Sequence, residues 1–199
     1  MSSDHGRLAP RGEVGDGGGF EVLVERDAIR EHVIKTAHVL RDMFGDAPFV
    51  LANLGEEGVY FKTDLLKVLG PLGAVVTSAS LDIRNVGHGA GAHLIRPVGG
   101  SLSVSRQHLV LAQGRTITGG TARFATNYAL ASRGDAPGAE SVTVVSLIGA
   151  GGSPDVAGIE VGETPIAGYG IAPLPSEQTA DPGLTRYAYY PEIYHHGPV

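Results

Sequence analysis

The stretch with the clearest chemical content is Gln107-His-Leu-Val-Leu-Ala-Gln-Gly-Arg-Thr-Ile-Thr-Gly-Gly-Thr-Ala122. Its apolar residues 109–112 predict a short buried strand, and Thr118-Gly119-Gly120-Thr121 opens a segment in which Ala122, Ala125 and Ala129 recur at helical spacing. A strand, a loop and a helix start rich in Thr and Gly suit an anion. Glycine lets the backbone approach a ligand, the first helical N–H groups point outward, and the helix dipole favours negative charge. Thr118, Gly119, Gly120 and Thr121 are therefore candidate ligands of a phosphate monoester, although the same pattern also serves as a plain strand-to-helix turn. Arg115, inside this loop, either turns inward as the positive partner of a phosphate or carboxylate or points to solvent.

Two further places carry groups able to move a proton. Glu56 and Glu57 lie in the turn Leu54-Gly-Glu-Glu-Gly58, directly before a helix start. They read either as solvated turn residues or, for one of them, as an acid/base group in a pocket. His88 lies in the loop Arg84-Asn-Val-Gly-His-Gly-Ala-Gly-Ala-His93, where small residues allow movement and an imidazole could titrate near neutral pH. His32 and His38 fall on or beside a helix and read as surface or satisfied core histidines, and the adjacent His195 and His196 are a weak metal signal because neighbours point apart on any regular element.

The central stretch resembles the ribose-5-phosphate loop of the type I phosphoribosyltransferases, and other segments resemble the hypoxanthine-guanine branch of that family. The phosphate half of the motif, Thr118 to Thr121, is intact. Where the family has an acidic pair that holds the ribose hydroxyls with magnesium, this chain has Gln113 and Gly114, and Ile117 stands in place of the aspartate that faces the purine. Residues 50–70, including Gly-Val-Tyr-Phe-x-x-Asp-Leu-Leu, resemble the family's first strand and helix. In that family the intervening turn faces pyrophosphate with a lysine; the corresponding residues here are Gly55, Glu56 and Glu57, and the two carboxylates would repel it instead. His88-Gly89 falls where relatives carry a Ser-Tyr pair in a mobile loop. Residues 154–170 resemble the base-binding hood and last strand. By the same resemblance Thr143 takes the position of a purine-contacting lysine, Val156 that of the stacking ring, and Glu163 that of an aspartate near the purine edge; Arg186 loosely matches an arginine directed at pyrophosphate.

These groups must be positioned by a fold, which periodicity outlines. Residues 20–24 predict a strand, and Asp27 an N-cap for a helix with Ile29, Val33, Ala37, Leu40 and Phe44 inward. Residues 48–53 predict a buried strand, residues 59–69 a helix with Phe61, Leu65, Leu66 and Leu69 inward and Gly70 as its stop, and residues 73–83 a further strand. Residues 94–104 read as a paired extended segment and residues 141–148 as a fully buried parallel strand. The fold class expected is α/β, a type I phosphoribosyltransferase-like parallel sheet flanked by helices with a small hood, and the ligand site at the C-terminal edge of the strands.

With 199 residues and 42% hydrophobic content, the chain is long enough for one core. Residues 1–19, polar and glycine-rich, read as a disordered tail, residues 20–199 as the domain, and residues 171–199, rich in Pro, Tyr and His, as a divergent segment packing on the domain or on a partner subunit. A net charge of −6 with no basic run argues against a nucleic-acid partner, and no apolar run of spanning length argues against a membrane. Zero cysteines exclude disulfides and thiolate chemistry and fit a reducing cytoplasm. The partner expected is a small molecule, phosphorylated or not; a homodimer or larger homo-oligomer is implied by the resemblance.

Loss of the acidic pair, the base-facing aspartate and lysine, the stacking ring and the pyrophosphate-loop lysine removes the family's known chemistry while the Thr118 to Thr121 loop remains. The first expectation is therefore a repurposed enzyme, of specialised metabolism, performing a metal-independent acid/base step such as elimination, cyclisation, isomerisation or group transfer, with neither metal nor cofactor. A non-catalytic ligand-binding or regulatory protein is the second, and a phosphoribosyltransferase with atypical substrates the third.

Overall fold

The computed structural model describes residues 22–85, 93–97, 104–131, 137–149, 154–161, 166–171 and 192–195. Residues 1–19, expected as a tail, and His88, Glu163, Arg186 and His196 lie outside them.

The chain opens with β1 (Val22–Val24) and α1 (Arg26–Phe44). Glu25 takes the cap position without a side-chain hydrogen bond, so Asp27 is not the cap; it sits in the first turn, where a carboxylate still complements the dipole. Ile29, Val33, Thr36, Ala37 and Leu40 form the buried stripe. Next come β2 (Phe49–Leu54), buried along its whole length, a single 3₁₀ turn at Glu56–Gly58, and α2 (Val59–Leu69). Gly70 remains right-handed at the end of α2, and the chain reverses instead at Gly73, which has φ 71°. β3 (Val76–Asn85) is followed by β4 (His93–Pro97).

β5 spans His108–Thr116, several residues longer than the apolar run predicts. Gln113, Gly114 and Arg115 are therefore strand residues and not loop residues, because their backbone groups continue the ladder with β6 (Ser141–Gly149), where Arg115 pairs with Ile148. Only Ile117 to Gly119 separate β5 from α3 (Gly120–Leu130). β7 (Ile159–Glu160), β8 (Ile166–Gly168) and β9 (Ile193–His195) complete the described elements.

The main sheet has the order β4-β3-β2-β5-β6-β7. Strands β3, β2, β5, β6 and β7 run parallel and β4 pairs antiparallel at one edge. One face packs against α1 and α2 through Leu40, Leu51, Phe61, Leu65, Val110 and Leu147; the other meets α3 through Leu109, Leu111, Ala122 and Ala125. Apolar side chains on both faces of β5 explain its unbroken hydrophobic run.

The remaining three strands form a small antiparallel sheet, β1-β9-β8. The C-terminal segment thus contributes the central strand of this sheet, with Ile193 fully buried. Residues from opposite ends of the chain close it, which local periodicity cannot reveal. Beside it Tyr169 enters the core with φ 46°, and the ring of Tyr60 lies so close to Gly170 that a Cβ there would meet it at 2.0 Å. Only glycine fits at Gly170, which also has φ 73°.

Candidate active site at the strand ends

Strands β2 and β5 are adjacent and parallel, so the segments that follow them emerge side by side. After β2, Gly55 adopts φ 74° and ψ 178°, starting the 3₁₀ turn that carries Glu56, Glu57 and Gly58. Gly58 is packed flat on β5: a Cβ there would lie 2.3 Å from the Ala112 carbonyl oxygen. Gly114 answers it from the other side, since a Cβ there would lie 2.3 Å from the Glu57 carbonyl oxygen and 3.1 Å from its Cβ. Two glycines on different elements thus let the turn close onto the end of β5.

This contact separates the two carboxylates. Glu56 is exposed, whereas Glu57 is half-buried and burial pushes its carboxyl up to about 7, with the Arg115 guanidinium drawing it back down. A carboxyl in this range holds comparable amounts of acid and base at neutral pH. Arg115 lies on the adjacent strand, half-buried, with its guanidinium near enough to bear on the Glu57 carboxyl.

Gln113 is 4% exposed and lies in a hydrogen-bonded cluster beneath the strand ends. Thr116 Oγ1 is 3.0 Å from both Gln113 Oε1 and Ser146 Oγ, and Ser146 Oγ donates onward to the Ile148 carbonyl at 2.7 Å. His32 joins from α1, its Nε2 3.1 Å from the Ser146 carbonyl and its ring stacked on Phe61; burial lowers its pKa and favours the neutral imidazole. His32 is a satisfied core histidine, as its helix position predicts.

A cation held between a ribose and two carboxylates at the end of β5 does not fit these residues. Gln113 is directed into the protein, and the space a side chain would need at Gly114 is filled by the Glu57 backbone. Among the described residues no group of three or more His, Cys, Asp or Glu converges on one point.

The loop after β5 places Gly119 at the N-cap of α3 with φ 69°, and the Gly120 N–H reaches Thr118 Oγ1 at 3.4 Å. Thr118 is exposed while Gly119, Gly120 and Thr121 are half-buried. A groove of about 380 Å³ leads away from this helix start, lined by Thr116, Thr118, Gly119, Arg123, Val144 and Asp155 among others. Asp155 accepts a hydrogen bond from the Val144 N–H at 2.7 Å, and Val156 bridges to Val145 and packs on the core. Thr143 is not part of this assembly. It is the third residue of β6, 7% exposed, with its hydroxyl directed at Met43 Sδ, 3.7 Å away, toward the start of the parallel strands rather than their C-terminal edge.

The structure thus brings Glu57, Gly114 and Arg115 together, sets the Thr118 to Thr121 loop immediately beyond them, and leaves Glu56 in solvent. Lys62, Asn53, Thr116 and Ser146 are buried polar residues of this region that motif reading passed over. For Lys62 there is a signal in the sequence: it lies three residues before Leu65 and seven before Leu69, on the inward stripe of α2.

No family model matches the chain, and no curated protein matches it in sequence. Solved structures do. A hypoxanthine-guanine phosphoribosyltransferase from Bacillus anthracis str. 'Ames Ancestor' superposes with a TM-score of 0.66 at 15% identity, covering 88% of this chain and 96% of that one. A hypoxanthine phosphoribosyltransferase from Staphylococcus aureus gives 0.69 at 16%, covering 89% and 91%. An alanine mutant from an analysis of an invariant aspartic acid in HPRTs gives 0.72 at 18%, covering 89% and 95%. The chain has the type I phosphoribosyltransferase fold.

Proposed function

We propose that this chain uses the type I phosphoribosyltransferase fold for a metal-independent acid/base step on a small ligand, with Glu57 as the group that takes and returns the proton. The observation that carries the reading is the pairing of a carboxyl raised to about 7 with Arg115 at the ligand edge of the sheet. Elimination, cyclisation, isomerisation and group transfer all use such a group: the carboxylate removes a proton from the substrate, and the acid so formed delivers one to the leaving or receiving atom. Arg115 stabilises negative charge that develops beside it. The Thr118 to Thr121 loop supplies outward N–H groups and the positive end of α3 to an anionic substituent, a phosphate monoester being the best match. Specialised metabolism, a cytoplasmic location and assembly as a homodimer or larger homo-oligomer belong to the same reading.

Calorimetric titration tests it. The protein is titrated with phosphoribosyl pyrophosphate plus magnesium, then with ribose 5-phosphate, purine nucleotides and inorganic phosphate. Binding of phosphate monoesters without magnesium supports the repurposed site. Magnesium-dependent binding of the pyrophosphate compound returns the chain to transferase chemistry and refutes the reading. Turnover of an identified ligand that survives Glu57→Gln removes Glu57 from the mechanism.

A further inference from the structure

Lys62 is a charged residue in the core, 8% exposed. Its Nζ donates to Asn53 Oδ1 at 2.8 Å, to the Ala79 carbonyl at 2.8 Å and to Ser80 Oγ at 3.0 Å. All three partners are neutral oxygens, and an ammonium has three protons, so the charged form satisfies the site in full. Two of them, Asn53 Oδ1 and the Ala79 carbonyl, can only accept, so Nζ donates to both in either charge state, while the Ser80 hydroxyl can also donate. Burial without a carboxylate partner is unfavourable for the charge and lowers the pKa. A methionine or leucine would fill the same stripe of α2 without that penalty, so the lysine calls for another account.

The account lies in what Lys62 does to Asn53. Asn53, 4% exposed, is the residue before the last of β2. Because Nζ donates to it, the Asn53 amide is held with Oδ1 toward α2, and Nδ2 is thereby aimed at the Gly55 carbonyl, which it reaches at 2.8 Å. The Gly55 N–H is held in turn by the Leu81 carbonyl at 3.0 Å. Gly55 is therefore anchored through both its N–H and its C=O, in a left-handed conformation that glycine alone adopts readily. The turn carrying Glu57 onto Gly114 starts from this residue, and its far end, Gly58, packs within 3.2 Å of the Asn53 Cβ when a Cβ is placed on it.

We propose that Lys62 is a positioning residue: through Asn53 it clamps Gly55 and so fixes the turn that presents Glu57 to the ligand edge. The clamp deepens the reading of Glu57 as the acid/base group and rests on it for its functional meaning, but its structural content stands apart and is tested apart.

The test follows the whole chain by NMR. Amide hydrogen exchange is measured for residues 55–58 and, as an internal control, for residues 109–112 of β5, and the Glu57 carboxyl is titrated in the same samples. In Lys62→Met, exchange at residues 55–58 is expected to rise by about tenfold or more while β5 is unchanged, since a lost anchor opens the turn locally. The Glu57 midpoint is expected to fall toward the ordinary carboxylate range as water enters. Unchanged exchange at residues 55–58 overturns the clamp. Should Lys62→Met fail to fold, Asn53→Ala removes the link between Lys62 and Gly55 while leaving the ammonium its other two acceptors, Ala79 and Ser80. It must give the same local rise, and its failure to do so equally overturns the proposal. If wild-type Glu57 itself titrates as an ordinary carboxyl, the acid/base reading fails, while the exchange data still decide the clamp.

Discussion

A Cβ placed on Gly114 would stand 2.3 Å from the carbonyl oxygen of Glu57, so a residue of β5 and a residue of the turn after β2 occupy one another's space. By resemblance, Gly114 occupies a position where relatives hold a carboxylate. A side chain at position 114 and the present placement of the Glu57 turn exclude one another. The same contact brings the Glu57 carboxyl, carried on the turn after β2, beside the Arg115 guanidinium.

Gly114→Asp is accordingly expected to push the turn away and not to rebuild a metal site. Overpacking of this kind costs roughly 1–3 kcal/mol. Urea denaturation measures the loss, and calorimetry with magnesium should show no gain of binding. A Gly114→Asp protein as stable as the wild type would mean that the turn yields freely.

Glu57→Gln separates stability from function. Burial pushes the folded carboxyl up from its ordinary 4.5 to about 7. A raised folded pKa means that the group's contribution to stability is fully present below 4.5 and is lost as pH rises through 7, because ionisation then occurs in a buried site. Glutamine does not ionise. At pH 8 the variant should therefore exceed the wild type in stability by on the order of 2 kcal/mol, with the difference vanishing near pH 4. Denaturation curves at both pH values check this, and turnover of any identified substrate should drop by about a hundredfold or more.

Arg115→Met takes away the charge that lowers the Glu57 pKa. The Glu57 midpoint should move further up, read by carboxyl NMR, and affinity for inorganic phosphate should fall by about tenfold as one charge-assisted contact is lost. A midpoint that stays in place would show that the two groups do not sense each other in solution.

Thr116→Val and Ser146→Ala address the cluster beneath the strand ends. Each single change leaves buried partners unsatisfied and should cost about 1–2 kcal/mol. The double variant should lose clearly less than the sum, since both remove the same interaction. Strict additivity in urea denaturation would contradict the shared network.

Gly119→Ala examines the helix start. With φ 69° at this position, alanine should destabilise the protein by about 1 kcal/mol and weaken phosphate binding, because the loop relaxes away from a left-handed backbone that alanine disfavours. Phosphate affinity unchanged in calorimetry would show that the loop serves only as a turn.

Much of the fold is written locally. The run Phe49–Leu54, the stripe of Leu65 and Leu69 in α2, and the Val/Ile/Leu run of β6 each state their own element, since burial on one or both faces leaves a periodicity in the chain itself. The Thr118 to Thr121 loop is legible for the same reason: strand, glycines and helix start are contiguous. How separate segments face each other is settled by the packed chain alone. Glu56 and Glu57 are equivalent in sequence; the contact of Glu57 with Gly114 half-buries one and leaves the other exposed. Thr143 and Gln113 were placed by resemblance or by a short apolar run, and strand direction and pairing moved both, one toward the start of β6 and the other into a buried cluster. Lys62 shows the division most plainly. Its place on an apolar stripe is visible in the sequence, but the three oxygens that hold its charge come from β2 and β3, and no spacing along the chain brings them together.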